Sequence, residues 1–228
     1  MTAHDRYMHQ WQFPLSPTAA PTLCHNSAPL PLLGDDLSRY WLDTCRGDSP
    51  FQYLFFGHAG SFTKLHRDAG GLDIVLQALT GRKECILVHR DDTPSTYNCD
   101  VNLDIPDLNA HPLFAFARVW RHVLAPGELL YLPAGTFHFC RNLEPCLSYS
   151  RFHLDTVNLP QFYKSYIDRG KYSTALQHHN KLSSAGRLQY EGFSCCPSND
   201  KKCFFWNVAS FSVFSLLLSF LMDSFLFF

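Results

Sequence analysis

The chain has 228 residues, of which 46% are hydrophobic and 15% are aromatic, and its 19 Lys and Arg residues nearly balance its 20 Asp and Glu residues. This length is sufficient for one domain with a sizeable core together with flanking segments. Proteins that bind nucleic acid mainly through phosphate contacts carry a basic excess or stripe, so the near-neutral charge argues against that class and predicts no direct nucleic-acid partner.

The N-terminal segment, residues 1–49, is predicted to run largely extended, because five prolines interrupt it between positions 14 and 31. An alternating stretch that begins at Tyr7 is the exception and is suited to add a strand. Asp35 or Asp36 is suited to cap a short helix. The apolar residues of that helix follow at helical spacing and are Leu37, Tyr40, Trp41 and Leu42.

From position 50 the pattern predicts a series of short strands separated by turns. The strands are expected at 52–57, 62–68, 72–79, 83–89, 119–124, 129–132, 136–141 and 147–152. Residues 91–118 are predicted to form a long polar loop, and loops of that length in compact domains are functional or mobile. Short strands at this spacing predict a mainly β fold, either a sandwich or a barrel.

The C-terminal part of the chain divides into two segments. Residues 156–192 are predicted to be helical, with an apolar stripe that would serve as a cap on the domain or as an element that pairs two chains in a homodimer. In residues 193–228 the run from Phe204 to Met222 carries no charge and follows Lys201-Lys202. That run fits either a tail anchor facing the cytoplasm or a translated intron or frame error in the gene model.

Cysteine usage indicates a reducing compartment. The nine cysteines form no C-x-x-C pair, and Cys85 and Cys140 lie in apolar runs typical of strands, so most look like reduced core residues. The first 14 residues contain no continuous apolar segment of the kind found in a signal peptide. We expect an intracellular protein, in the cytoplasm or nucleus, unless the tail tethers it to a membrane.

His66, Asp68 and His138 are the candidate metal ligands. Residues i and i+2 of a strand point to the same face, so His66 and Asp68 would converge on one point. Two histidines and one carboxylate, with the other positions open, form the iron site of non-haem Fe(II) oxygenases. The H-x-D triplet is weak evidence by itself, because the chain has twelve histidines and most such pairs are solvated surface residues.

Three motifs surround these residues in a characteristic order. They are Y-L-F-F-G-H-A-G-S-F-T-K-L-H-R-D at 53–68, L-T-G-R-K-E-C-I-L at 79–87 and P-G-E-L-L-Y-L-P-A-G-T-F-H at 126–138. Over residues 50–155 the chain resembles the JmjC family of cupin-fold oxygenases, and within it the small protein hydroxylases. The resemblance implies a double-stranded β-helix (jelly-roll or cupin) barrel, with a short N-terminal helix before it and helices after it.

The resemblance also implies cofactors and their binding residues. Fe(II) would be held by His66, Asp68 and His138, and 2-oxoglutarate and O2 would occupy its remaining positions. Lys83 matches the lysine that binds the far carboxylate of 2-oxoglutarate, which gives a charge-assisted contact. Thr63, Ser150 and Tyr7 match hydroxyl-bearing positions near that carboxylate.

Two positions depart from the family pattern. Leu76 and Phe152 stand where many relatives carry asparagines, so two polar contacts near 2-oxoglutarate are replaced by apolar side chains. The chain also begins late relative to the family, which predicts that the N-terminus is truncated.

The resemblance predicts an Fe(II)- and 2-oxoglutarate-dependent dioxygenase that hydroxylates a side chain of a protein or peptide. Two alternatives stay open. A lysine demethylase would apply the same chemistry to an N-methyl group, and it ranks second because the reader domains and zinc clusters of the large demethylases are not recognisable here. A non-catalytic metal-binding cupin module would keep the metal and lose 2-oxoglutarate, as the residues at Leu76 and Phe152 suggest.

Overall fold

Nine antiparallel strands form the body of the protein in a computed structural model that describes residues 7–11, 33–40 and 51–188. They are β1 (Tyr7–Trp11), β2 (Gln52–Gly57), β3 (Phe62–Arg67), β4 (Asp73–Thr80), β5 (Lys83–Val88), β6 (Val119–Leu124), β7 (Leu129–Leu132), β8 (Phe137–Asn142) and β9 (Cys146–His153). The expectations for the proline-rich segment, for Trp41 and Leu42, and for the tail at 193–228 lie outside the described residues.

The strands form two sheets. One has the order β1-β2-β9-β4-β7 and the other the order β3-β8-β5-β6, and every pairing between neighbouring strands is antiparallel. Between the sheets lies an apolar cluster that includes Leu76, Leu87 and Leu130. Among the described strands no ladder joins one sheet to the other, so the arrangement is a two-sheet jelly roll and not a closed barrel. The mainly β, cupin-type fold is thereby confirmed.

The segment at 91–118 is more structured than the predicted polar loop. It contains 3-10 turns over Arg90–Cys99, which a kink interrupts, and a 3-10 helix at Pro112–Phe116, and it covers the outer face of the four-stranded sheet. Val101, Leu103 and Phe114 are buried there against sheet residues such as Phe139. These apolar side chains follow neither a helical nor a strand period, so the pattern could not reveal them.

The N-terminal helix is described from Leu37 to Tyr40, and a buried ion pair anchors it. It is a 3-10 helix at Leu37–Tyr40, and Asp36 Oδ1 accepts a hydrogen bond from the Ser38 amide at 3.0 Å. Asp36 Oδ2 also accepts from Arg151 Nη2 of β9 at 2.5 Å. Burial would raise the pKa of Asp36, but the bonds from Arg151 and Ser38 lower it overall. Asp36 is therefore the cap, and it joins the N-terminal segment to the sheet.

Two α-helices follow β9, α1 (Leu159–Asp168) and α2 (Tyr172–Ser184). The predicted apolar stripe of α1 is confirmed, because Leu159, Phe162 and Tyr163 are buried together with Leu37 and Phe51. The helices therefore cap the chain's own core, while pairing of two chains through them stays a prediction. Among the described residues, no helix is both long and apolar enough to cross a bilayer.

The protein is expected to lose stability as the pH falls, because of His178 of α2, whose side chain is 0% exposed. Its Nε2 donates to the Leu37 carbonyl and its Nδ1 accepts from the Tyr163 hydroxyl, both at 3.2 Å, as suits a neutral ring. Burial lowers the pKa of His178 to about 4. The pKa of a histidine in the unfolded chain is about 6.5. The stabilisation of the fold by neutral His178 is therefore complete above that pH.

As the pH falls from about 6.5 towards 4, this contribution is lost at up to about 1.4 kcal/mol per pH unit. Chemical denaturation of wild type and His178→Gln at several pH values tests this. The variant should show the shallower loss of unfolding free energy, and the exposed His58→Gln should behave as wild type. Parallel pH profiles for wild type and His178→Gln would disprove the role.

Candidate metal centre and co-substrate pocket

His66, Asp68 and His138 meet at the end of the four-stranded sheet. His66 of β3 lies directly opposite His138 of β8, and their ring centroids are 4.1 Å apart. Asp68 follows the end of β3, with its carboxylate oxygens 3.5 Å from His66 Nε2 and 3.9 Å from His138 Nε2. One ligand atom from each residue lies within 4.8 Å of the other two. The cluster thus brings two imidazoles and a carboxylate to one point.

The route to this convergence differs from the one predicted. β3 ends at Arg67, so Asp68 reaches the histidines from the segment after the strand and not by strand alternation. Within β3 the register shifts between Thr63, which lies opposite Cys140, and His66, which lies opposite His138. A β-bulge of this kind places two residues of one strand opposite one of its partner. Thr63 and His66 therefore both line the pocket although they are three residues apart.

The backbone orients both histidines for metal binding. His66 Nδ1 lies 2.8 Å from the Lys64 carbonyl, and His138 Nδ1 lies 3.2 Å from the Thr136 carbonyl. A carbonyl oxygen only accepts, so each Nδ1 carries a proton, and each Nε2 lies on the side of Asp68. A metal-binding histidine is commonly fixed in this way by a bond from its other nitrogen.

The charge states also suit a metal. Burial, together with the neighbouring His66, lowers the pKa of His138 to about 4. Burial would raise the pKa of Asp68, but His66 and His138 lower it overall. At neutral pH Asp68 is thus a carboxylate and His138 is a neutral imidazole. This donor set fits Fe(II), and these three residues would hold it while leaving positions open for ligands.

A buried cation lies in the same pocket. Lys83 of β5 is 2% exposed, and its Nζ donates to Asn142 Oδ1 at 2.7 Å. The ammonium also lies 5.7 Å from the centroid of the Tyr7 ring. Among the described residues, no carboxylate lies within ion-pairing distance of Lys83. A buried ammonium held only by a neutral amide and a ring is suited to bind an anion.

Hydroxyl groups line the same pocket as that cation. The pocket is lined by Tyr7, Thr63 and Ser150, as predicted, and by Ser148, which lies two residues before Ser150 on the same face of β9. Ser148 is 0% exposed, and its Oγ has no hydrogen-bond partner among the described residues. A buried hydroxyl without a partner is costly, so this end of the pocket is suited to a polar ligand. These observations fit the carboxylate of 2-oxoglutarate.

The two departures from the family pattern also face this pocket. Leu76 of β4 lies opposite Ser150, and Phe152 lies opposite Ile74, and all four residues line the cavity. Leu76 and Phe152 therefore make that part of the lining apolar, and Lys83 with the hydroxyls supplies polar groups to the same pocket. The roles of all these residues as ligands stay predictions, although the structure brings them together.

Sequence reasoning missed three residues of the pocket region. Asn142, which holds Lys83, was placed beyond the predicted end of its strand at 141. Ser148 and His9 each lie two residues from a predicted site residue in a strand, Ser150 and Tyr7 respectively, and both line the pocket. Strand alternation would have identified both of them.

Two further histidines and two cysteines have ordinary structural roles. His122 Nε2 lies 3.2 Å from Glu128 Oε2, and His89 Nδ1 accepts from the Asp91 amide at 3.2 Å. Cys85 and Cys140 are buried free thiols, 3.7 Å apart at their sulfur atoms. The two histidines are thus paired with neighbouring groups, and the free thiols match the expectation of reduced core cysteines.

Comparison with known proteins identifies a family and several relatives to which the chain is similar. Residues 15–158 match the family of cupin-like domains. HSPB1-associated protein 1 of Rattus norvegicus is 32% identical over 103 residues, which cover 40% of this chain and 21% of that protein. Lysine-specific demethylase 8 of Xenopus tropicalis is 30% identical over 105 residues, which cover 42% of this chain and 23% of that protein.

A third relative is tRNA wybutosine-synthesizing protein 5 of Danio rerio, which is 35% identical over 72 residues, covering 29% of this chain and 22% of that protein. The matched region thus spans between 21% and 23% of the length of these three relatives. The family match at residues 15–158 includes His66, Asp68, Lys83 and His138.

Proposed function

The chain belongs to the family of cupin-like domains of the JmjC type, and on that premise we propose that it is an Fe(II)- and 2-oxoglutarate-dependent dioxygenase that hydroxylates a side chain of a protein substrate. Membership of this family supports an oxygenase of the 2-oxoglutarate-dependent kind. Hydroxylation and the protein substrate are the finer part of the proposal.

One observation carries the proposal. The pocket that contains His66, Asp68 and His138 also contains the buried ammonium of Lys83. The histidines and the carboxylate supply the three protein donors that a non-haem iron needs, and Lys83 supplies a counter-charge for a second carboxylate. A ligand with a metal-binding 2-keto acid at one end and a carboxylate at the other matches both features.

Each residue would have a definite task. His66, Asp68 and His138 would hold Fe(II), which when bound supplies the activation of O2 that the reaction needs. Lys83 would fix the far carboxylate of 2-oxoglutarate, with hydroxyls of Thr63 and Ser150 beside it. The overall reaction balances as 2-oxoglutarate, O2 and a substrate C–H group giving succinate, CO2 and the corresponding C–OH group.

Demethylation is the second candidate, because one relative is named lysine-specific demethylase 8. The same oxidation at an N-methyl group gives a product that releases formaldehyde. A non-catalytic cupin is the third candidate, because Leu76 and Phe152 make one wall of the pocket apolar. We place the activity in a reducing, intracellular compartment, since Cys85, Cys99, Cys140 and Cys146 are free thiols.

A screen for modified peptides tests the hydroxylase proposal. Hydroxylated and demethylated products are distinguished by mass when peptides from cell extract are incubated with the protein, Fe(II), ascorbate and 2-oxoglutarate. We expect a peptide that gains one oxygen atom with wild type and not with His138→Ala. Loss of a methyl group from lysine would instead favour the demethylase, and neither product, despite bound metal, would favour the non-catalytic module.

A further inference from the structure

The buried ammonium of Lys83 has an unusual partner. Asn142 of β8 is 1% exposed, and its Oδ1 accepts the hydrogen bond from Lys83 Nζ at 2.7 Å. Two other buried charged groups have charged partners, Asp36 with Arg151 and Glu84 with Arg141. A carboxylate at position 142 would form such a pair with Lys83. The amide there orients the ammonium and leaves its charge uncompensated.

A chain of hydrogen bonds fixes the orientation of this amide. Ser61 Oγ donates to the His58 carbonyl at 2.6 Å, and Asn142 Nδ2 donates to Ser61 Oγ at 2.9 Å. The hydroxyl proton is used on His58, so Ser61 can only accept from Asn142. The amide oxygen must then point to Lys83, whose ammonium can only donate. The sequence of bonds therefore admits one orientation of Asn142.

The backbone at Gly57 leaves space for this chain. A Cβ added at Gly57 would lie 2.6 Å from Tyr7 Cδ2 and 2.8 Å from Asn142 Nδ2, and it would also collide with Ser61 Oγ. Any larger residue at 57 would therefore displace both groups that hold the Lys83 ammonium, the Asn142 amide and the Tyr7 ring. This close approach gives a physical reason for the glycine and serine of the G-H-A-G-S stretch.

We propose that Asn142 is a positioning residue that holds the Lys83 ammonium towards the pocket without neutralising it, so that the site keeps a positive charge for the far carboxylate of 2-oxoglutarate. This inference rests on the proposed function and assigns that function a further residue. It predicts a specific kind of defect: variants at 142 should lose preference for a ligand with a second carboxylate, and not the ability to bind keto acids in general.

Isothermal titration calorimetry with Mn(II) in place of Fe(II) measures this preference without turnover. The two probes are 2-oxoglutarate and 2-oxopentanoate, which has the same chain length and a methyl group where 2-oxoglutarate has its far carboxylate. Wild type should bind 2-oxoglutarate more tightly. Asn142→Asp should weaken 2-oxoglutarate binding by about 100-fold, because its carboxylate competes for Lys83, and Asn142→Leu by about 10-fold. Both should leave 2-oxopentanoate affinity unchanged.

Two further variants separate positioning from folding. Ser61→Ala should weaken 2-oxoglutarate binding by a few-fold through the loosened amide, and it stays informative if a change at 142 prevents folding. Asn158→Leu is the matched control. Asn158 is buried, as Asn142 is, and its Nδ2 donates to the His153 carbonyl at 3.0 Å, but it does not line the pocket. The Asn158→Leu variant should have a lower melting temperature and an unchanged preference for 2-oxoglutarate over 2-oxopentanoate.

The outcomes are distinguishable. Unchanged preference for 2-oxoglutarate in folded Asn142→Asp, Asn142→Leu and Ser61→Ala would overturn the positioning role and leave the proposed function standing. An equal loss of both keto acids would overturn it too, since that result indicates general damage to the pocket. Failure of wild type to bind either keto acid would overturn the proposed function and this inference with it.

Discussion

His138→Ala is expected to abolish Fe(II) binding and, with it, turnover of 2-oxoglutarate. His138 is buried, its Nδ1 is fixed by the Thr136 carbonyl, and its Nε2 faces Asp68, so its loss leaves the cluster with only His66 and Asp68 as donors. Loss of an outer-shell partner costs about 10- to 100-fold in metal affinity or activity, and loss of a ligand should cost more. Metal content after anaerobic dialysis and succinate formation measure the two effects.

His122→Ala is the matched control for this experiment. His122 contacts Glu128 at 3.2 Å and does not belong to the metal cluster, so its variant should bind one Fe(II) and turn over normally. One equivalent of tightly bound Fe(II) in His138→Ala would show that the metal lies elsewhere. The assignment of all three ligands would then be wrong.

Lys83→Met is expected to raise the 2-oxoglutarate requirement by about 100-fold while Fe(II) stays bound. The substitution keeps most of the side-chain volume and removes a charge-assisted contact with the far carboxylate. A contact of this kind is strong enough to account for a change of about 100-fold. The same change should leave the melting temperature equal or higher, because an unpaired buried charge is removed from the core. Half-saturation by 2-oxoglutarate and thermal unfolding test the two statements.

A second lysine provides the control. Lys64 lies on β3 beside the metal ligands but is exposed and does not line the pocket, so Lys64→Met should change neither quantity. If Lys83→Met needs no more 2-oxoglutarate than wild type, Lys83 does not bind the co-substrate. Loss of Fe(II) in this variant would instead indicate that the pocket has been distorted.

Much of the sheet structure could be predicted because alternation and turn residues define it locally. β2, β6 and β7 have the predicted bounds, and the turn at Gly81 has the positive φ that favours glycine. The convergence of His66, Asp68 and His138 was predictable because the motifs that carry the family resemblance contain all three, and their role as metal ligands stays a prediction. The prediction failed at positions where tertiary packing, and not the local sequence pattern, determines the structure.

The bulge in β3 illustrates such a failure. Nothing in F-T-K-L-H-R marks an extra residue, yet the shift between Thr63 and His66 decides that both line the pocket. The role of Asn142 was missed for a smaller reason. The strand was predicted to end at 141, but the pairing of Lys83 with Asn142 extends β8 by one residue. Strand ends depend on such partners across the sheet.

Succinate formation from 2-oxoglutarate by the purified protein, with Fe(II), ascorbate and air, tests the central proposal most directly. The His66–Asp68–His138 cluster and Lys83 predict succinate that requires both Fe(II) and 2-oxoglutarate and that disappears in His66→Ala. Adding a protein substrate should increase the rate. Bound metal without any succinate, with or without substrate peptides, would contradict the oxygenase proposal and leave a non-catalytic cupin module.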